Sequence, residues 1–225
     1  MVHPIYRLGL SFIIIFLFTA GCTARPVQPV LVNIQQARAA VEAYHANGQY
    51  LHDIKVIIND LRKHIEETLA SDKYTKPAIV FDIDETLLSN YQAEKEMGFN
   101  FSPRYWRYWV NMSKAPAIEP VKILYDFAVS KELTVFIITG RKVSVRQQTV
   151  RNLKQEGYSH WTNLFFREKW DEKKTAQQYK TAIRKQLSEQ DEYQIIANLG
   201  DQESDLAGGY AVRTFKLPNY MYIIH

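Results

Sequence analysis

An α/β fold, with a parallel sheet covered on both faces by helices, is predicted by three features of this chain. Short, almost wholly apolar runs recur: Ala78-Ile79-Val80-Phe81, Leu133-Thr134-Val135-Phe136-Ile137-Ile138, Leu164-Phe165-Phe166 and Gln194-Ile195-Ile196-Ala197-Asn198-Leu199. Amphipathic stretches with helical spacing separate them. Strands that are apolar on both faces belong to parallel sheets buried under helices. Finally, polar and charged residues follow directly after the runs. In such sheets ligands gather outside the carboxyl ends of the strands.

The composition agrees with one sizeable globular core. Of the 225 residues 46% are hydrophobic and 23% charged, an ordinary balance that excludes a disordered or collagen-like chain. The formal charge of +4 is mild and scattered, which suits an anionic small substrate better than a nucleic-acid polymer. The single cysteine excludes an intrachain disulfide and a cysteine-only zinc site.

The elements follow in order. Asn33 is placed to cap a helix through Ile34, Ala37, Val41 and Tyr44, and Asn47-Gly48 is placed to end it. Ile54, Ile58, Leu61, Ile65 and Leu69 then mark the buried face of a second helix. Helices near 119–131, 143–156 and 175–188 alternate with the apolar runs, and a last short strand is expected near 211–216. There is no internal repeat.

Residues 1–21 read as an address rather than as structure. Arg7 precedes an apolar stretch from Leu8 to Phe18, then the small residues Thr19-Ala20-Gly21, and then Cys22. The position of Cys22 after Ala-Gly resembles a bacterial lipobox, although Thr19 stands where Leu is usual. That resemblance implies lipidation of Cys22 and a place in a bacterial cell envelope, lipid-anchored at the outer membrane and facing the periplasm or surface. The alternative is an uncleaved anchor, since the charge-free stretch is at the short edge of the ~17–25 residues that span a bilayer. Residues 22–32, with Pro26 and Pro29, read as a tether, and 33–225 as the folded domain.

Three strand ends carry chemistry. The first run leads into Asp82-Ile83-Asp84-Glu85-Thr86, the second into Thr139-Gly140-Arg141, and the fourth into Gly200-Asp201-Gln202-Glu203-Ser204-Asp205. Each string alone also reads as an ordinary turn or helix cap. Together they bring several carboxylates, a hydroxyl and a cation to one crevice. Clustered carboxylates raise one another's pKa unless a cation neutralises them. Mg²⁺, a hard ion that takes oxygen ligands, suits this set. The six histidines are dispersed, and no two of them lie three or four residues apart.

These strings, in this order, resemble the haloacid dehalogenase (HAD) superfamily of phosphotransferases. Within it the resemblance is to the acid phosphatases, including bacterial class B and class C enzymes and plant acid phosphatases. Lys114-Ala115-Pro116-Ala117-Ile118, Tyr179-Lys180, Phe215-Lys216-Leu217-Pro218-Asn219 and Tyr44-His45-Ala46-Asn47-Gly48-Gln49-Tyr50 extend it over most of the chain. The resemblance implies Asp82 as nucleophile, forming an aspartyl-phosphate, and Asp84 as general acid and then general base. It implies Mg²⁺ held by the Asp82 carboxylate, the Asp84 backbone carbonyl and Asp201, with Asp205 supporting. Thr139 would bond a phosphoryl oxygen. A lysine, Lys180 or alternatively Lys174, would offset the charge of the transferring group. Arg141 and Arg184 are further candidates for positioning phosphate.

Roughly forty residues separate the first two strands, more than a usual crossover. In this superfamily such an insertion, here about 89–118, forms a cap that selects the substrate. It holds Tyr91, Phe99, Phe101, Tyr105, Trp106, Tyr108 and Trp109. Either these rings pack the cap, or some of them, Trp109 among them, stack on an aryl group or nucleobase. Tyr222 is another stacking candidate by resemblance, although Tyr220 stands where the branch often has proline. The expected activity is hydrolysis of small phosphomonoesters, aryl phosphates or nucleoside monophosphates. Two rivals use the same fold: a storage or binding lipoprotein that has lost catalysis, and a phosphotransferase that passes the phosphoryl group to an alcohol.

Overall fold

The computed structural model describes residues 32–224 apart from residue 72. The expected signal segment, Cys22 and all of the tether before Val32 lie outside the described residues. Among the described residues no helix is long and apolar enough to cross a membrane.

Two helices open the domain. α1 (Ile34–Ala46) begins where expected, with the Asn33 side chain accepting a hydrogen bond from Gln35 N. Gly48, at φ 85°, turns the chain left-handed into α2 (Gln49–Leu69), a conformation glycine adopts without steric penalty. α2 buries Tyr50, Ile54, Ile58, Leu61 and Ile65 along one stripe.

The sheet has five parallel strands, β1 (Pro77–Phe81), β2 (Thr134–Lys142), β3 (Asn163–Arg167), β4 (Gln194–Gly200) and β5 (Arg213–Lys216), in the order β3-β2-β1-β4-β5. Alternation along each strand feeds two cores. Ile79, Phe81, Val135 and Ile137 pack in one with α2 residues; Ala78, Val80, Phe136 and Ile138 pack in the other. α5 (Glu119–Ser130) and α6 (Arg146–Gln155) add Val121, Leu124 and Leu153 to the first core, and α7 (Ala176–Glu189) adds Tyr179 and Leu187 to the second. This is why the strands carry no polar face.

β2 differs from its expected extent. It continues past Ile138 to Lys142, so Thr139, Gly140 and Arg141 lie within the strand rather than after it. Its register with β3 shifts between Ile138 and Lys142, so this last part leaves the regular ladder.

The segment between β1 and β2 carries α3 (Tyr91–Glu96) and α4 (Pro103–Met112) before α5. α4 starts on Ser102, whose hydroxyl accepts from Tyr105 N, with Pro103 in the first turn, where its missing N–H costs nothing. His45 stacks between Tyr50 and Tyr91, at 4.1 and 4.0 Å between ring centroids, and so joins α1 to α3. Burial lowers its pKa to about 4.

Candidate active site

Strand order reverses around β1, whose neighbour β4 comes late in the chain. A crevice at such a switch point is where open parallel sheets bind ligands. Asp82 directly follows β1, and its N–H bonds Leu199 O at 3.0 Å, which ties it to β4. Asp201 directly follows β4. Asp205 lies in the short helix α8 (Glu203–Leu206), where its carboxylate accepts from Gln202 N at 2.9 Å. Gly200 permits this approach. A Cβ there would stand 2.5 Å from Asp205 Cβ, closer than real atoms come.

Oxygen atoms of Asp82, Asp201 and Asp205 lie within 4.8 Å of one another, and all three residues are buried. Lys180 reaches them from α7. Its Nζ donates to Asp82 Oδ1 at 2.5 Å and to Asp205 Oδ1 at 2.6 Å, and only 4% of the residue is exposed. α7 is started just upstream by a reciprocal cap: Thr175 Oγ1 accepts from Gln178 N, and the Gln178 side chain accepts from Thr175 N. Burial opposes the charge on Lys180, but the Asp205 and Asp82 carboxylates outweigh it and hold the ammonium protonated. Three carboxylates against one ammonium leave an excess of negative charge. Burial, then Asp205 and Glu85, push the Asp201 carboxyl well above its ordinary range. A hard divalent cation would relieve this excess, and the all-oxygen donor set fits Mg²⁺.

Asp84 sits in a different environment. Arg141 donates to it with Nη2 at 2.7 Å and Nε at 3.1 Å, and Asn90 Nδ2 adds a contact at 2.8 Å. Arg141 is itself buried and also donates to Thr149. The two aspartates of the first motif thus face different cations, Lys180 and Arg141. Arg141 lines the cavity, yet its guanidinium is committed to Asp84 and not left open for phosphate.

Several expected residues sit elsewhere. Lys174 is not at the site; its Nζ pairs with Asp171 at 2.7 Å. Arg184 is fully buried and donates to the carbonyls of Asp205, Ala207 and Gly209, so it braces the loop that carries Asp205 and does not reach phosphate. Trp109 is buried, with its Nε1 donating to Asn90 Oδ1 at 2.9 Å, and it does not line the cavity. Its neighbour on the helix, Trp106, does. Thr139 is fully buried, its Oγ1 accepts from Arg141 N, and it does not line the cavity. Tyr222 does line the cavity, and its hydroxyl donates to Glu85.

The cavity holds about 390 Å³. The strand ends and α7 supply Asp82, Asp84, Asp201 and Lys180; the inserted segment supplies Glu94, Phe99, Phe101 and Trp106. Arg167, at the end of β3, also lines it, although the sequence motifs mark only the ends of the first, second and fourth strands. Glu85 and Asn90 were likewise missed as site-forming residues. Glu85 has φ 54°, a left-handed conformation that non-glycine residues rarely adopt, and its buried carboxylate accepts from Asn90 N at 2.6 Å and from Tyr222. Burial, then Asp84, raise its pKa to about 8. Glu85 stands in the first motif, but nothing in the sequence shows that its carboxylate turns inward.

Comparison with known proteins places this geometry. The family described as HAD superfamily, subfamily IIIB (Acid phosphatase) matches residues 15–225. The stem 28 kDa glycoprotein of Glycine max is 34% identical over 191 residues, which cover 82% of this chain and 74% of that protein. Acid phosphatase 1 of Solanum lycopersicum is 40% identical over 149 residues, 64% of this chain and 58% of that enzyme. Among solved structures, the class C acid phosphatase of Bacillus anthracis with tungstate bound shares the fold, with a TM-score of 0.72 at 24% identity over 84% of this chain and 86% of that one. The chain belongs to subfamily IIIB of the HAD superfamily, the acid phosphatases, and is a phosphomonoesterase.

Proposed function

We propose that the chain is an Mg²⁺-dependent acid phosphatase that hydrolyses small phosphomonoesters, aryl phosphates or nucleoside monophosphates, through an aspartyl-phosphate on Asp82. The observation that carries this reading is the convergence of Asp82, Asp201, Asp205 and Lys180 in one buried cluster beside a cavity. The Asp82 and Asp201 carboxylates and the Asp84 backbone carbonyl would hold Mg²⁺, with Asp205 in support. A bound Mg²⁺ would offset the repulsion between an anionic nucleophile and an anionic phosphate.

The chain's own groups then divide the work. Asp82 Oδ attacks phosphorus; the new O–P bond forms as the bond to the leaving oxygen breaks. Asp84 gives its proton to that leaving oxygen. In the second half Asp84 takes a proton from water, and the water oxygen attacks phosphorus and frees Asp82. Arg141 fixes the aim of Asp84 throughout. Lys180 stabilises charge on the transferring group. Phe99, Phe101, Trp106 and Tyr222 offer flat apolar surface to the leaving group.

Phosphate release from phenyl phosphate and from nucleoside monophosphates tests the metal requirement. EDTA is expected to lower the rate at least about a hundredfold, and added Mg²⁺ to restore it. A rate unchanged after exhaustive chelation would overturn the metal requirement. A folded chain inactive on every substrate with Mg²⁺ present would favour the storage or binding reading.

The N-terminal segment supports a lipid-anchored place in a bacterial envelope, because Arg7, the Leu8–Phe18 run and Ala20-Gly21-Cys22 form a lipobox-like address. Mass spectrometry of the chain from the membrane fraction is expected to find an acylated N-terminal Cys22. A chain retaining Met1 there would sink the assignment.

A further inference from the structure

Five carboxylates line the cavity, and four of them have donors within the chain. Asp82 and Asp205 share Lys180, Asp84 has Arg141 and Asn90, and Asp201 accepts from Gln202 at 2.5 Å and Asn219 at 2.7 Å. The fifth is Glu94. It is 5% exposed, and among the described residues its carboxylate has no hydrogen-bond or ion-pair partner.

Main-chain bonds fix its position. Glu94 lies in α3, its N–H bonds Asn90 O at 3.0 Å, and its own carbonyl accepts from Phe99 N at 2.7 Å. The second bond closes the end of the helix with Phe99 at φ 57°, and both residues line the same cavity. Glu94 therefore comes from the inserted segment, together with Phe99, Phe101 and Trp106, and not from the strand ends that carry Asp82 and Asp201.

A carboxylate that faces a cavity with no donor from the chain depends on what enters that cavity to offset its desolvation. Here the cost is compounded, since the carboxylate has the same sign as Asp84 and as a phosphate. In its ionised form it opposes binding of a bare phosphoryl group. Only a ligand that brings its own donor to this wall turns the penalty into attraction. We propose that Glu94 is a specificity-determining residue that accepts a hydrogen bond from a hydroxyl or amino group on the substrate's leaving group, beside the aromatic rings that take its apolar face. This inference rests on the phosphatase reading above and deepens it, by selecting donor-bearing phosphomonoesters over plain aryl ones.

The test is kcat/KM of the full chain, wild type and variant, on four substrates. Phenyl phosphate carries no donor on its leaving group. Adenosine 5′-monophosphate carries sugar hydroxyls and a base amine. Its 2′,3′-dideoxy analogue lacks the hydroxyls, and purine riboside 5′-monophosphate lacks the amine. Glu94→Gln keeps the shape and removes the charge; Glu94→Leu removes the acceptor altogether. Both are expected to lower kcat/KM for adenosine monophosphate at least about tenfold, chiefly through KM, the loss expected for a hydrogen bond to a charged group. Phenyl phosphate turnover should be unchanged or faster, because one negative charge has left the cavity. These opposite signs separate substrate reading from a structural role, which would lower both. The analogue that no longer responds to the substitution identifies the donor as sugar hydroxyl or base amine.

An equal loss on phenyl phosphate, no loss on adenosine monophosphate, or an undiminished effect with both analogues would each overturn the inference. A wild-type chain active on phenyl phosphate but blind to Glu94 refutes this inference alone. A wild-type chain inactive on all four substrates refutes the phosphatase reading and this inference with it.

Discussion

Asp82→Asn is expected to lower phosphate release at least about a thousandfold, roughly 4 kcal/mol of transition-state stabilisation, while the fold persists. The side chains are nearly isosteric, but a neutral amide is a poor nucleophile for phosphorus and a poor ligand for a hard cation. The fold has little reason to fail. Lys180 keeps its contact with Asp205 at 2.6 Å, and the main-chain bond from residue 82 to Leu199 does not involve the side chain. Removing one of three clustered carboxylates also reduces repulsion. The thermal midpoint without metal should therefore stay level or rise, and the stabilisation by Mg²⁺ should shrink. Phosphate release with calorimetry in parallel checks both. Activity within tenfold of wild type, after deamidation back to Asp is excluded by mass, would show that the nucleophile lies elsewhere.

Lys180→Met should damage both stability and rate. The ammonium is the cation that touches both Asp82 and Asp205. Its loss leaves those carboxylates buried at close range without a counter-charge, a change that costs about 3–5 kcal/mol when one partner of a buried pair is removed. For a domain of this size that corresponds to a fall of about 6–20 °C in the midpoint. Mg²⁺ should restore more of the midpoint in the variant than it adds to the wild type, because added cation then meets an unneutralised cluster. Catalysis should still fall about 100–1,000-fold with saturating metal, the usual loss when a preorganised charge donor is removed. Calorimetry across a Mg²⁺ series, with kcat on phenyl phosphate, separates the two effects. A midpoint that does not move would mean that Asp82 and Asp205 are neutral in the folded chain, and the electrostatic account of the cluster would have to be abandoned.

Much of this site is legible in the linear chain because its parts are local. Asp82 and Asp84 are two residues apart, and Asp201 and Asp205 are four apart, each pair next to a strand that its apolar run announces. The parallel class follows from strands without a polar face, and their order along the chain brings the carboxyl ends to one side. Asn33 and Gly48 acted through their own cap and turn, which depend on neighbours within a few positions.

Other assignments depended on which long side chain meets which charge, and chain spacing does not encode that. Sequence favours Lys180 over Lys174 only by its Tyr-Lys string; the structure separates them, because α7 turns Lys180 inward while Lys174, before the helix, pairs with Asp171. Arg141 and Arg184 both look like phosphate ligands until packing commits one to Asp84 and the other to loop carbonyls. Trp106 and Trp109 lie one turn apart, and the way α4 docks sends Trp109 into the core and Trp106 to the cavity.

Apolar period and turn chemistry thus set the class, the strands and the acidic motifs, because those signals act over a few residues. The partners of the buried charges, the inward turn of Glu85 and the unpaired state of Glu94 came only from the tertiary structure. Burial strengthens electrostatic pairing and makes it specific, but burial is a property of the assembled core and is absent from any single segment.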